Sequence, residues 1–256
     1  MTPLISKLET VMGTVVTIDV YPEPHATGVQ LARVREQISQ ACAVLHRADE
    51  VFSTWRPDSP VSRLRRGDIT VAEAPAEVAG VLAACAAARE LSGGWFDPWA
   101  MPGGFDPTGL AKGWAVERAL EVLRRSGIAA AMVNGGGDLA AFGSPAPGRR
   151  WRVGIRHPWS ARSLAGIIEV EAAVATSGGY ERGPHLIDPA TGLPSGRAAS
   201  ATVTGPGLAM ADALATAVAV GGDEALAVVG GVEGYAAYLI RPDGSEAGTG
   251  GITFIS

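Results

Sequence analysis

Asp212 and Thr216 stand four residues apart in the run MADALATAVAV. On a helix that spacing puts both side chains on one face. The neighbouring alanine, leucine, valine and methionine make the face otherwise apolar, and an aspartate is rarely buried without a partner. Two chemistries fit. A pair of hard oxygen donors one turn apart suits Mg²⁺, which needs few protein ligands when phosphate completes its shell. An aspartate near a helix start also caps backbone amides, and a threonine also bonds back into its own helix. Spacing alone does not choose between them.

Three further constellations carry reactive groups. His185 ends an extended segment just before Asp188-Pro189-Ala190-Thr191-Gly192, which reads as a turn. A histidine there has the chemistry of a general base, although a lone histidine beside a turn is more often structural. Phe105-Asp106-Pro107-Thr108-Gly109-Leu110-Ala111-Lys112-Gly113 is a glycine-bearing loop running into a helix. Glycine amides and helix N-termini favour anions, and Lys112 adds a point charge suited to a phosphate; the plain alternative is a solvated loop lysine. Asn134-Gly135-Gly136-Gly137-Asp138, between short β runs, is explained by hairpin turn chemistry without any ligand.

These groups need elements to hold them. Residues 14–20 (TVVTIDV) alternate as a strand. Helical periodicity covers residues 29–52, 76–91, 112–125 and 208–220, with a short helix at 224–229. Residues 52–68 and 93–110 read as loops. Short β runs fall at 129–133, 139–142, 151–155, 167–170, 199–204, 235–240 and 252–255. Helices early and strands late predict an α+β protein rather than a βαβ repeat.

Composition narrows the function classes. The 256 residues include 34 glycines, where average usage gives about 18. A folded chain this rich in glycine must contain many tight turns or places where backbone approaches a ligand. At 47% hydrophobic and 18% charged the chain is not disordered. Its net charge of −5 leaves no footprint for nucleic acid. The basic group Arg63, Arg65 and Arg66 reads as a solvated loop. Cys42 and Cys85 lie alone in apolar helical patterns, so buried free thiols in a reducing compartment are expected. The P-loop, the dinucleotide-binding glycine fingerprint, H-E-x-x-H and G-x-S-x-G do not occur. The N-terminal residues do not read as a signal peptide and no apolar run is long enough to span a bilayer, so a cytoplasmic protein without a membrane span is expected.

In chain order Met12-Gly13-Thr14, Phe52-Ser53-Thr54-Trp55-Arg56, Gly94-Trp95-Phe96-Asp97-Pro98 and Asp106 to Gly113 come first. Asn134 to Asp138, Ala175-Thr176-Ser177-Gly178, His185-Leu186-Ile187-Asp188-Pro189 and Ala211 to Thr216 follow. The whole series resembles the ApbE family, the FAD:protein FMN transferases, over nearly the entire chain. The resemblance implies one domain over residues 1–256, with mixed sheets, packed helices and an FAD site in a central cleft. It implies a Mg²⁺-dependent enzyme that moves the FMN half of FAD onto a Thr or Ser hydroxyl of an acceptor flavoprotein and releases AMP. By resemblance Asp212, Thr216 and the backbone carbonyl of Gly109 hold the metal. Met12, Trp55, Trp95, Phe96, Asp97, Asp106, Lys112 and Ile187 contact FAD, and His185 takes the proton of the acceptor hydroxyl. The alternatives are an FAD pyrophosphatase and a non-catalytic flavin carrier; a carrier needs no base. Departures from the pattern are the short stretch between Asp97 and Asp106, Glu117 where the family usually has Asp, and Trp55 where many transferases have Tyr. An aromatic at that last position favours transfer over hydrolysis by the same resemblance.

Overall fold

Alternation of β-branched residues makes a strand of Thr14–Tyr21 (β2). Ile5–Val11 (β1) pairs back on it antiparallel, in a computed structural model that describes residues 5–22, 27–179, 183 and 185–255. The turn between them is Met12-Gly13, with φ of 54° and 69°. Positive φ at both central residues is the type I′ hairpin turn, whose twist matches that of the strands. Met12 is the only non-glycine residue with positive φ among the described residues.

Four helices follow: Gly28–Phe52 (α1), Pro60–Arg66 (α2), Ala76–Leu91 (α3) and Thr108–Arg125 (α4). Then come Ala130–Gly135 (β3), Asp138–Phe142 (β4), Trp151–His157 (β5), Ser160–Val170 (β6), Ala173–Ser177 (β7) and Ser200–Gly205 (β8). Leu208–Gly221 (α5), Asp223–Val229 (α6), Ala236–Ile240 (β9), Glu246–Gly248 (β10) and Phe254–Ile255 (β11) complete the chain. The fold is α+β, as expected.

An eight-stranded sheet runs β1-β2-β3-β4-β7-β8-β9-β10, antiparallel throughout. The hairpin β5–β6 and β11 form a separate three-stranded sheet. The two-residue period of a strand sorts side chains to opposite faces. Val133, Ala140, Ala175, Val203 and Leu239 face the core shared with the helices. Met132, Leu139, Ala141, Val174 and Tyr238 face the small sheet. The large sheet is therefore the middle of three layers.

Helix α5 is apolar nearly all round and buried along most of its length, as befits a central helix. It lies beside α4 over β7 and β8. Leu110, Leu123, Leu208 and Leu214 are fully buried here; each contributes about 2 kcal/mol by leaving water. Cys42 and Cys85 are buried free thiols. Burial pushes the Cys85 thiol up to about 12, with Asp106 adding to the rise.

Several elements differ from the sequence reading. The segment 52–68 is not all loop, because α2 forms within it. Ser59 caps it by accepting from the Ser62 amide, Pro60 starts it and Gly67 ends it with φ of 76°. Strands β1, β7 and β10 were not expected, and α4 begins at Thr108 rather than at residue 112. No helix among the described residues is long and apolar enough to cross a membrane.

Candidate functional site

The N-terminal half of α4 lies against α5, and glycine sets how closely. A Cβ on Gly113 would stand 2.6 Å from the Leu208 carbonyl oxygen and 3.0 Å from the Ala209 Cα. With hydrogen there instead, α5 comes near enough for the buried Asp212 Oδ2 to accept the Gly113 amide at 3.1 Å. In a regular helix that amide closes on the carbonyl of Gly109. Asp212 is the fifth residue of α5 and reaches across to α4, so it does not cap its own helix.

One turn further along the same face, Thr216 Oγ1 lies 3.2 Å from Ser177 Oγ at the end of β7. A Cβ on Gly109 would meet Thr216 Oγ1 at 3.3 Å and the Phe96 ring at 3.2 Å. Gly109, Thr216 and Phe96 are thus in one cluster, with Asp212 beside Gly113 on the same helix pair. The Thr216 and Ser177 hydroxyls meet there, with the Asp212 carboxylate one turn back on α5. Among the described residues no group of three His, Cys, Asp or Glu side chains could hold a metal. Carboxylate and hydroxyl oxygens are the donors a hard cation takes.

Lys112 extends from α4 to form an ion pair with the buried Asp138 at the start of β4. Asp138 Oδ1 accepts the Thr176 amide at 2.8 Å, while its Oδ2 faces the ammonium and takes no directed hydrogen bond. The Gly136-Gly137 turn that brings Asp138 back has positive φ at both residues, as hairpin chemistry predicts.

The loop before α4 is held by a residue the sequence reading set aside. Arg65, read as part of a solvated loop, sits on α2 with its side chain only 16% exposed. It donates to the Pro102 carbonyl at 2.8 Å and the Gly103 carbonyl at 3.2 Å, and lies 3.7 Å from Asp106. Asp106 Oδ1 in turn accepts the Thr108 amide at 3.0 Å, capping the first turn of α4. Asp97 is fixed similarly, by Arg89 at 2.6 Å and the Trp99 amide at 2.9 Å.

The remaining expected residues form a looser outer group. Trp95 packs against Gly221 and lies 5.0 Å under the Arg197 guanidinium. Arg197 also approaches Asp188 at 3.5 Å, joining the segment around Trp95 to the 186–195 turn. Ile187 pairs with Pro194, and the Asp188 side chain accepts the Ala190 amide, so the predicted turn is present. His185 is exposed, and its Nδ1 lies 2.9 Å from the Gly183 carbonyl. A carbonyl only accepts, so Nδ1 is the donor in this contact and Nε2 is the ring nitrogen left for another partner. Trp55 is 93% exposed, and Met12 is partly buried against the core. A separate cavity of about 300 Å³, between the far half of α4 and β4, is lined by none of the expected site residues.

The ApbE family model matches residues 12–104 and 103–239. The chain belongs to the ApbE family. Among curated relatives, an FAD:protein FMN transferase of Vibrio cholerae is 38% identical over 130 residues, 46% of this chain and 39% of the relative. One of Rhodobacter capsulatus is 36% identical over 146 residues, 53% of this chain and 28% of the relative. The matched stretches span less than half the length of these relatives. Among solved structures, the flavin transferase ApbE of Vibrio cholerae aligns with a TM-score of 0.81 at 24% identity, over 97% of both chains. An ApbE protein of Thermotoga maritima aligns with a TM-score of 0.81 at 22% identity, over 97% of both chains. Those two likenesses establish the ApbE fold.

Within this ApbE fold several residues matter that spacing did not reveal. Arg65 and Arg197 look like ordinary surface arginines in sequence. Asp138 looks like turn chemistry, and Ser177 is distant from Thr216. Only the fold shows that each ends on, or beside, a residue of the expected site.

Proposed function

We propose that this protein is a Mg²⁺-dependent FAD:protein FMN transferase acting on a Thr or Ser hydroxyl of an acceptor flavoprotein, as a single domain over residues 1–256. The observation that supports the reading is the contact of Asp212 with Gly113 and of Thr216 with Gly109 across the α4–α5 pair, within a member of the ApbE family. The oxygen donors fit a hard cation. Asp212, Thr216 and the Gly109 carbonyl would hold Mg²⁺, with Ser177 beside them. Bound there, Mg²⁺ supplies Lewis acidity and charge neutralisation at a pyrophosphate.

The chain's own groups do the rest. Lys112, beside the same helix start, is placed to receive a phosphate oxygen while Asp138 holds it. Trp55, Trp95 and Phe96 supply flat faces for rings, with Met12, Asp97, Asp106 and Ile187 completing the FAD contacts in a central cleft. His185 Nε2 takes the proton of the acceptor hydroxyl as its oxygen attacks the FMN phosphorus. A new P–O bond forms, the pyrophosphate P–O bond breaks, and AMP leaves. A cytoplasmic location belongs to the same reading and is supported by the free thiols Cys42 and Cys85.

The test mixes the protein with FAD, Mg²⁺ and a candidate FMN-binding domain. Flavin fluorescence should stay on the acceptor through a denaturing gel. In Asp212→Ala it should fall by at least about 100-fold. Release of AMP and free FMN at a rate indifferent to the acceptor would instead mark a pyrophosphatase. Tight FAD binding with no AMP under any condition would mark a carrier.

A further inference from the structure

Glu117 lies one turn beyond Gly113 on α4 and turns toward the start of α5. Its Oε1 accepts the Leu208 amide, and the Ala209 amide next to it also favours the charged carboxylate. Those are the first two residues of α5. The first amides of a helix have no partner within it, and they are usually met by a side chain just before the helix. Here that position is Gly207, which has no side chain to offer. A Cβ on Gly207 would stand 3.0 Å from Glu117 Oε1, so a side chain there would press on the carboxylate. The cap comes instead from a different helix, 91 residues earlier in the chain.

Burial holds the Glu117 carboxyl above its usual range, and the neighbouring backbone amides with Arg118 and Arg124 offset only part of that rise. The helix-end dipole favours the charged form further. Helices α4 and α5 are therefore tied at two points on one face: Glu117 to the Leu208 amide, and the Gly113 amide to Asp212. The rise per residue of a helix is about 1.5 Å, so a slip of α5 by one residue would take Asp212 off Gly113.

We propose that Glu117 is the positioning residue of the site: by capping α5 from α4 it fixes the axial register of the two helices, and with it the placement of Asp212 and Thr216 opposite Gly109. This rests on the metal reading above for its consequence, but not for its geometry. Nothing in it requires Glu117 to touch FAD or the ion.

The experiment uses the whole chain with Glu117→Gln, Glu117→Asp and Glu117→Ala. Without metal, amide hydrogen exchange should speed up in Glu117→Ala at Leu208 to Asp212 and stay unchanged in β3 and β8. On the FAD-loaded protein, Mg²⁺ binding followed by displacement of Mn²⁺ should weaken by on the order of tenfold in Glu117→Ala. FAD affinity without Mg²⁺ should not move, and transfer should recover at saturating Mg²⁺. Glu117→Gln keeps an acceptor oxygen and should fall between wild type and Glu117→Ala. Glu117→Asp, one methylene shorter, should recover part of the loss. Should Glu117→Ala fail to fold, Glu117→Gln decides. Wild-type exchange at Leu208 and wild-type Mg²⁺ affinity in Glu117→Gln and Glu117→Asp would overturn the proposal. A wild-type protein indifferent to Mg²⁺ would sink the metal reading, while the exchange data would still decide the cap.

Discussion

Asp212 is buried and held by the Gly113 amide, whereas Trp55 is 93% exposed. That contrast divides the site. On the α4–α5 side, Gly109, Lys112, Asp138, Ser177 and Thr216 are tied to one another through hydrogen bonds, an ion pair and close backbone approach. On the outer side Trp55 and His185 project from loops. Oxygen donors that must meet a charged group work best when their geometry is set beforehand, since no reorganisation is then needed on binding. Flat ring faces need no such fixing and can be ordered by the ligand. Under the proposed function, the half set beforehand is the one that would meet the pyrophosphate, and Trp55 and His185 belong to the half left open.

Substitutions can break that contrast or sharpen it. The largest effect on stability is expected from Lys112→Ala, which leaves Asp138 buried without its counter-charge and should cost about 3 kcal/mol in denaturant unfolding. Adding Asp138→Ala should return part of the loss, because the uncompensated charge is then gone. If the double variant were less stable than Lys112→Ala, the ion pair would not be the source. Next comes Gly113→Ala. Its methyl group meets backbone, so α5 must move away, with a loss of about 2 kcal/mol and of Mg²⁺-dependent stabilisation. Equal stabilisation by Mg²⁺ in this variant and wild type, read from Tm shifts with FAD bound, would show the cradle tolerates a wider spacing. Trp55→Ala should be the mildest, changing unfolding stability by less than about 0.5 kcal/mol. It should still weaken FAD binding by about tenfold in a fluorescence titration. A clear loss of stability there would mean that the outer half is preformed too.

The same contrast explains what could be read from sequence. The i, i+4 pair Asp212 and Thr216 was legible because both residues sit on one helix whose period is visible. What Asp212 bonds to was not, since Gly113 is 99 residues away and the contact depends on how two helices cross. At the start of its helix the Leu208 amide is held by Glu117, and Asp212 bonds the Gly113 amide of the neighbouring helix. Helix α2 could have been found: Ser59, Pro60 and Gly67 are start and stop signals, masked by the arginines between them. Arg65 was misjudged for the same reason, because a guanidinium that ends on loop carbonyls is indistinguishable in sequence from one in water. Strand β1 escaped notice because its side chains are mostly exposed, Leu8 included, so it lacks the core-facing alternation of β2.

The distance between Gly113 and Asp212 also orders events as the chain is made. Helix α4 and its half of the donors emerge first, and β3 to β8 must follow before α5 exists. At a synthesis rate of about 5–20 residues per second, the 99-residue separation is a wait of roughly 5–20 s. Until then the face of α4 that bears Gly113 and Glu117 has nothing to close against. Early structure must rest on nearer pairings, such as β1 with β2 and α1 with α4. A chain stalled before Leu208 could fold that much and still lack Asp212 and Thr216, two of the three ligands in the proposed function.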